Sequence, residues 1–153
     1  MIFPDNAKVE ITGYCCIDCD IPVFIPDKWT VLPNREQLPN RVLGKIILDP
    51  TSVEFYLDDG QKDGKYIIGE ELRGKLATIK VYTAHVLDYF LNNPHSIPNE
   101  WRGKYITFWG TIYSDDRGCT CVRGLNLGDN RLNWGYHFLA GRFYGAYPAA
   151  CAT

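Results

Sequence analysis

Between Trp101 and Ala140 the apolar and aromatic residues fall into three runs, each cut off by a short stretch rich in Asp, Asn and Gly. The first covers 105–113 and stops at Asp115-Asp116-Arg117-Gly118. The second covers 119–127 and stops at Gly128-Asp129-Asn130, and the third runs over 131–140. Aromatic and β-branched runs separated by such loops predict an antiparallel meander. The loop lengths set an expected register in which Ser114 pairs with Cys119 and Leu127 pairs with Arg131. One face then carries Ile106, Phe108, Ile112, Cys121, Leu125, Leu127 and Leu139, an apolar layer suited to a covering helix. The other carries Trp109, Thr111, Tyr113, Val122, Leu132, Trp134, Tyr136 and Phe138. The same register sets Trp109 and Trp134 beside Gly124, and Arg123 between Gly110 and Gly135. A glycine inside a strand marks a bend or the close approach of a ring or ligand. Because side chains alternate with a period of two, a slip of one residue in either loop exchanges the faces.

The covering helix is predicted over 83–93. Thr83 is its N-cap, Val86, Leu87, Phe90 and Leu91 make one apolar stripe, and Asn93-Pro94 ends it. Upstream, Pro4, Pro22, Pro26, Pro33 and Pro39 break residues 1–44 into short pieces, because proline lacks an amide donor and extends the residue before it. Strands are expected over 8–12, 22–25 and 29–32. Further strands over 45–48 and 52–57 are split by Asp49-Pro50, and 58–65 reads as an exposed loop. A weaker helix over 70–77 is interrupted by Gly74, and the tail 141–153 has no clear period. The fold class is therefore α+β. A single domain over 1–153 has a proline-rich arm (1–44), strands and helices (45–100), the meander (101–140) and a tail (141–153).

A chain of 153 residues, 46% hydrophobic and 14% aromatic, can bury a core without staples, and these values argue against disorder. A net charge of -2 supplies no global attraction to nucleic acid or an anionic membrane. The first residues lack a basic start followed by an apolar run, and no stretch is long enough to span a bilayer. The expected location is the cytoplasm, where the six cysteines are thiols or metal ligands and not a disulfide framework.

Trp101-Arg102-Gly103-Lys104, Phe108-Trp109-Gly110-Thr111-Ile112-Tyr113 and Pro148-Ala149-Ala150 together resemble a family of small uncharacterised bacterial proteins. Val86-Leu87-Asp88-Tyr89 and Ile97-Pro98-Asn99-Glu100 fit the same pattern. The resemblance covers roughly the C-terminal two-thirds and leaves the cysteine-bearing N-terminus unmatched. It implies a recurring fold and carries no activity with it.

Candidate chemistry is sparse. Cys16 and Cys19 form a C-x-x-C step, and the expected register brings Cys121 opposite His137. These four make a candidate zinc set, set against the ordinary reading of cysteines as core thiols. A nucleophile would need His85, His95 or His137 as base, and no spacing singles one out. The carboxylate pairs Asp58-Asp59, Glu70-Glu71 and Asp115-Asp116 suit turns or the start of a helix. The aromatic face remains: Trp109, Tyr113, Arg123, Trp134 and Tyr136 are the candidate binding residues, of the kinds that dominate protein interfaces. The leading expectation is a non-enzymatic protein-interaction module that binds a protein partner through this face. An inhibitor or accessory protein carried on a mobile element is one form of it. The alternatives are a zinc-stabilised nucleic-acid-binding domain, in which Arg117, Arg123 and Arg131 flank stacking rings, and a small Cys/His or Ser/His hydrolase.

Overall fold

The structure, a computed structural model, describes residues 13–153. The strand expected over 8–12 lies outside them. In chain order the strands are β1 (Cys15–Asp18), β2 (Thr30–Val31), β3 (Lys45–Leu48), β4 (Glu54–Tyr56) and β5 (Tyr66–Ile68). Two helices follow, α1 (Gly69–Lys75) and α2 (Ala84–Asn92). Then come β6 (Tyr105–Ser114), β7 (Thr120–Asn126), β8 (Asn133–Phe138), β9 (Arg142–Tyr144) and β10 (Ala149–Cys151). The expected α+β class holds. Among the described residues no helix is long and apolar enough to cross a membrane.

The meander is present as β6-β7-β8, but it is one side of a larger sheet ordered β4-β10-β6-β7-β8, with β2 pairing the end of β6. The tail read as patternless supplies β10, which enters between β4 and β6 and pairs parallel to β6 through Ala149 and Thr107. Ala149-Ala150-Cys151 is too short and too small in side chain to show a period, yet all three residues are buried. β9 pairs with β5 and β1 with β3, each as a two-stranded sheet. The segment 22–25, expected as a strand, forms none.

The register differs from the expected one by a single residue at both loops. Ser114 pairs with Thr120, and Asn126 with Asn133. A bulge adds to this: Phe108 pairs with Arg123 and Ile112 with Val122, leaving Trp109, Gly110 and Thr111 between them without β7 partners. One face now holds Ile106, Phe108, Tyr113, Cys121, Arg123 and Leu125 with Trp134, Tyr136 and Phe138 of β8. Ile112, Val122 and His137 look the other way.

Both faces are covered. The α2 stripe of Val86, Leu87 and Phe90 packs with Ile106, Phe108 and Leu125 as expected. Full burial of such side chains stabilises by about 1.5–3 kcal/mol each. On the opposite face Leu72 and Leu76, from α1 and the turn after it, meet Trp109, Ile112, Val122 and Phe143. The bulge joins these layers. Gly110 N–H donates to the Tyr82 carbonyl, and the Thr111 hydroxyl accepts from Ala84 N–H at 2.9 Å, capping α2. Thr83 stands at the N-cap position without a side-chain cap bond. Its hydroxyl is engaged instead by His85 Nδ1 at 2.8 Å.

Candidate functional site

Four of the five expected binding residues come together, and two aromatic residues and a carboxylate that sequence reasoning passed over complete the group. Arg123 lies in mid-strand on β7 and is 1% exposed. Its guanidinium sits 4.4 Å from the Trp134 ring centre and 4.9 Å from that of Phe24, with Tyr113 at 5.9 Å. Asp88 of α2 receives Nη1 at 3.0 Å and Nη2 at 2.8 Å, a bidentate pair. Burial works against the charge on Arg123, but the Asp88 carboxylate more than offsets it and the pKa lies above the usual value. The Nε has no partner among the described residues. Trp29 stands edge-on to Tyr113, Trp134 and Tyr136. The Tyr113 hydroxyl donates to the Phe24 carbonyl at 2.8 Å, fixing the 22–25 segment across the sheet, and burial pushes that hydroxyl up to about 12.

Asp88 and Phe24 could not be picked out from the chain, since a carboxylate in the polar part of a helix reads as solvated. The one available signal was Arg123 itself: a charge in mid-strand among apolar residues needs a partner. Trp109 does not join the group. It lies in the bulge, buried against Phe143 on the opposite layer, with its indole N–H donating to Thr107 Oγ1. The ring beside Gly124 is also not a tryptophan. Tyr105 lies over Gly124 and Gly135, where a Cβ would come within 2.3 Å and 2.4 Å of its atoms.

β8 borders this group and, among the described residues, ends the sheet. Leu139 N–H donates to the Thr120 carbonyl, which phases the antiparallel ladder. Residues 133, 135 and 137 turn their N–H and C=O groups toward β7, whereas Trp134, Tyr136 and Phe138 turn theirs outward. Among the described residues the only bond to these outward groups is from Gly141 N–H to the Phe138 carbonyl. On the strand's side-chain face Trp134 is half-buried, Tyr136 is 46% and Phe138 40% exposed, with Phe24 alongside at 50%. An open edge thus adjoins an apolar shelf. Comparison with family models, curated proteins and solved structures found no match. The function of the site is therefore read from its geometry.

The cysteine and histidine candidates are dispersed. Cys121 pairs with Phe138 and His137 with Val122, so the thiol and the imidazole leave opposite faces of the sheet. Cys16 is exposed on β1 while Cys19 is buried, and among the described residues no three Cys, His, Asp or Glu side chains are placed to hold a metal ion. The observed register does not bring the expected zinc set together, since that set needed Cys121 opposite His137. Burial pushes the Cys121 thiol up to about 12 and raises Cys19 and Cys151, which lowers their reactivity as nucleophiles. In the folded protein only Cys16 and Cys119 are expected to react promptly with an aromatic disulfide reagent, with all six reacting in denaturant. Rapid labelling of Cys19 or Cys121, read by mass spectrometry, would contradict this account.

His85 is held at both nitrogens. A carbonyl can only accept, so Nε2 carries the proton donated to Ile21 O at 2.7 Å, and Nδ1 accepts from Thr83. The ring latches the segment before Phe24 onto α2. His137 stacks with Tyr105 and Tyr147, and its Nδ1 and the Tyr105 hydroxyl are buried with no partner among the described residues. Burial lowers the His137 pKa below its usual 6.5. The unfolded chain then takes up a proton at this residue more readily than the native state. Stability is complete above about pH 6.5 and declines as pH falls toward the folded value. Thermal unfolding from pH 5 to pH 8 is expected to show this loss in the wild type and less of it in His137→Phe. Parallel profiles would refute it.

Proposed function

We propose that the chain is a non-enzymatic protein-interaction module that receives an extended segment of a protein partner as an added strand along β8. The observation that carries this reading is the outward phase of Trp134, Tyr136 and Phe138. Their main-chain groups point away from the sheet, and their aromatic side chains line the shelf shared with Phe24 and Trp29. Strand addition draws affinity from main-chain bonds and selectivity from alternate side chains, and tyrosine and tryptophan contribute most at protein interfaces. The charge of Arg123 is committed to Asp88, so among the described residues the centre of the shelf presents rings and no free cation. That arrangement favours an apolar protein segment over a phosphate backbone.

The test begins with peptides selected from a displayed random library on the immobilised protein. Binders are expected to show alternating apolar positions, and to slow hydrogen exchange at the amides of Trp134, Tyr136 and Phe138. Tyr136→Pro removes one outward donor, and edge positions tolerate proline because the lost N–H serves no ladder bond. It is expected to weaken such peptides at least about tenfold, the effect of 1.4 kcal/mol. Equal affinity for the two proteins, or unprotected amides, would overturn the proposal.

A further inference from the structure

We infer that the strand received by β8 is β8 of a second copy, paired antiparallel about a two-fold axis through Tyr136. This rests on the strand-addition reading above and names its partner. With the axis at Tyr136, Tyr136 faces its own copy, and Trp134 of each chain faces Phe138 of the other. The outward-turned residues then pair with one another in the alternation an antiparallel ladder requires, with the Phe138 carbonyl shared between Gly141 N–H and the incoming Trp134 N–H. The cross-strand pairs are aromatic on aromatic, the kind that stabilises neighbouring strands.

Among the described residues the edge carries none of the usual protection against such pairing. Between Asn133 and Phe138 there is no lysine, proline, bulge or charged residue of any kind. Beyond the strand opposite charges would approach each other, with Glu70 already 3.6 Å from Arg73 of its own chain. Arg131 is exposed, and the two-fold sets it opposite Gly141 of the second copy. Glu70 there is also exposed, donates its N–H to the Leu139 carbonyl, and lines a cleft of about 500 Å³ with Phe138 and Gly141. The incoming strand would run over this cleft, which is open among the described residues. Joining two copies would also unite their two aromatic shelves into one surface.

Sedimentation equilibrium of the full chain tests the proposal. The expected mass is twice that of one chain of 17.4 kDa. Tyr136→Pro is expected to return it to a single chain with unchanged circular dichroism. Should that variant fail to fold, Tyr136→Lys, which sets two ammonium groups on the axis, takes its place. In a Cys16→Ser, Cys119→Ser background, Tyr136→Cys is expected to form a disulfide-linked dimer on mild oxidation. Facing residues of a hydrogen-bonded pair lie about 5.5 Å apart, inside the disulfide range, whereas Asn133→Cys lies far from its own copy and is expected to stay monomeric. A monomeric wild type at every concentration up to the millimolar range would overturn the self-pairing. So would a dimer indifferent to the changes at 136, or cross-linking through 133 instead of 136. A monomeric wild type that still protects its β8 amides with a selected peptide would leave the strand-addition reading standing. Unprotected amides would remove both.

Discussion

Asp88→Ala is expected to destabilise the protein by about 3–5 kcal/mol, the range for breaking a buried pair by removing one partner. Arg123 is 1% exposed, and without Asp88 both of its Nη groups would lose their carboxylate acceptor and face rings. The Trp134 and Phe24 faces would then hold the charge alone, and a desolvated cation–π contact is worth only about 2 kcal/mol. The reciprocal change is expected to be milder. Asp88 keeps 22% of its side-chain surface in contact with solvent, so in Arg123→Met the carboxylate can turn to water. A cost of about 1–3 kcal/mol is expected there. Because the damage in Asp88→Ala comes from an orphaned charge and not from lost bonds, removing both partners should rescue it. Asp88→Leu with Arg123→Met is expected to come close to Arg123→Met alone in urea unfolding at pH 7. A loss below about 1 kcal/mol for Asp88→Ala, or strict additivity in the double variant, would mean that the aromatic group is not organised around this pair.

The same pair explains what the chain alone could and could not disclose. Local signals were legible. The Val86, Leu87, Phe90 stripe, its stop at Asn93-Pro94, and its docking on Ile106, Phe108 and Leu125 follow from spacing and burial. Tyr113, Trp134 and Tyr136 share a face in either register, whereas Arg123, expected on the face of Cys121 and Leu125, joins them only in the observed one. Long-range relations were not legible. β10 is three small residues placed parallel to β6 by a partner far away in sequence, Thr107 to Ala149. Trp29 and Phe24 reach the shelf through a segment outside the strands, held by the Tyr113 hydroxyl and His85, contacts that leave no periodicity. The register itself turned on one residue per loop. The bulge at 109–111 carried Trp109 away from the shelf, and the one-residue shift at the β7–β8 loop put Phe138, not His137, opposite Cys121.

That bulge is also where a single methyl group should matter most. Gly110→Ala is expected to cost about 3 kcal/mol or more, above the ordinary range of overpacking. A Cβ at Gly110 would stand 2.6 Å from Thr83 N and from the Tyr82 carbonyl carbon and oxygen. These are main-chain atoms with no rotamer to change, unlike the Tyr105 ring over Gly124. The bulge cannot withdraw freely either. Gly110 N–H is bonded to the Tyr82 carbonyl, and Thr111 Oγ1 to Ala84 N–H. Backing away would break a bond worth about 1 kcal/mol and uncap α2, whose stripe then loses its seat. Gly74 makes the opposite case: it is an exposed position inside α1, and a methyl group added there would meet nothing within 4 Å. Gly74→Ala should gain about 1 kcal/mol from helix propensity. Measured side by side by urea unfolding, the two alanines are expected to shift stability in opposite directions. If Gly110→Ala were neutral, the close approach of the bulge to the start of α2 would not be what holds the two layers together, and the placement of Arg123 against Asp88 would need another cause.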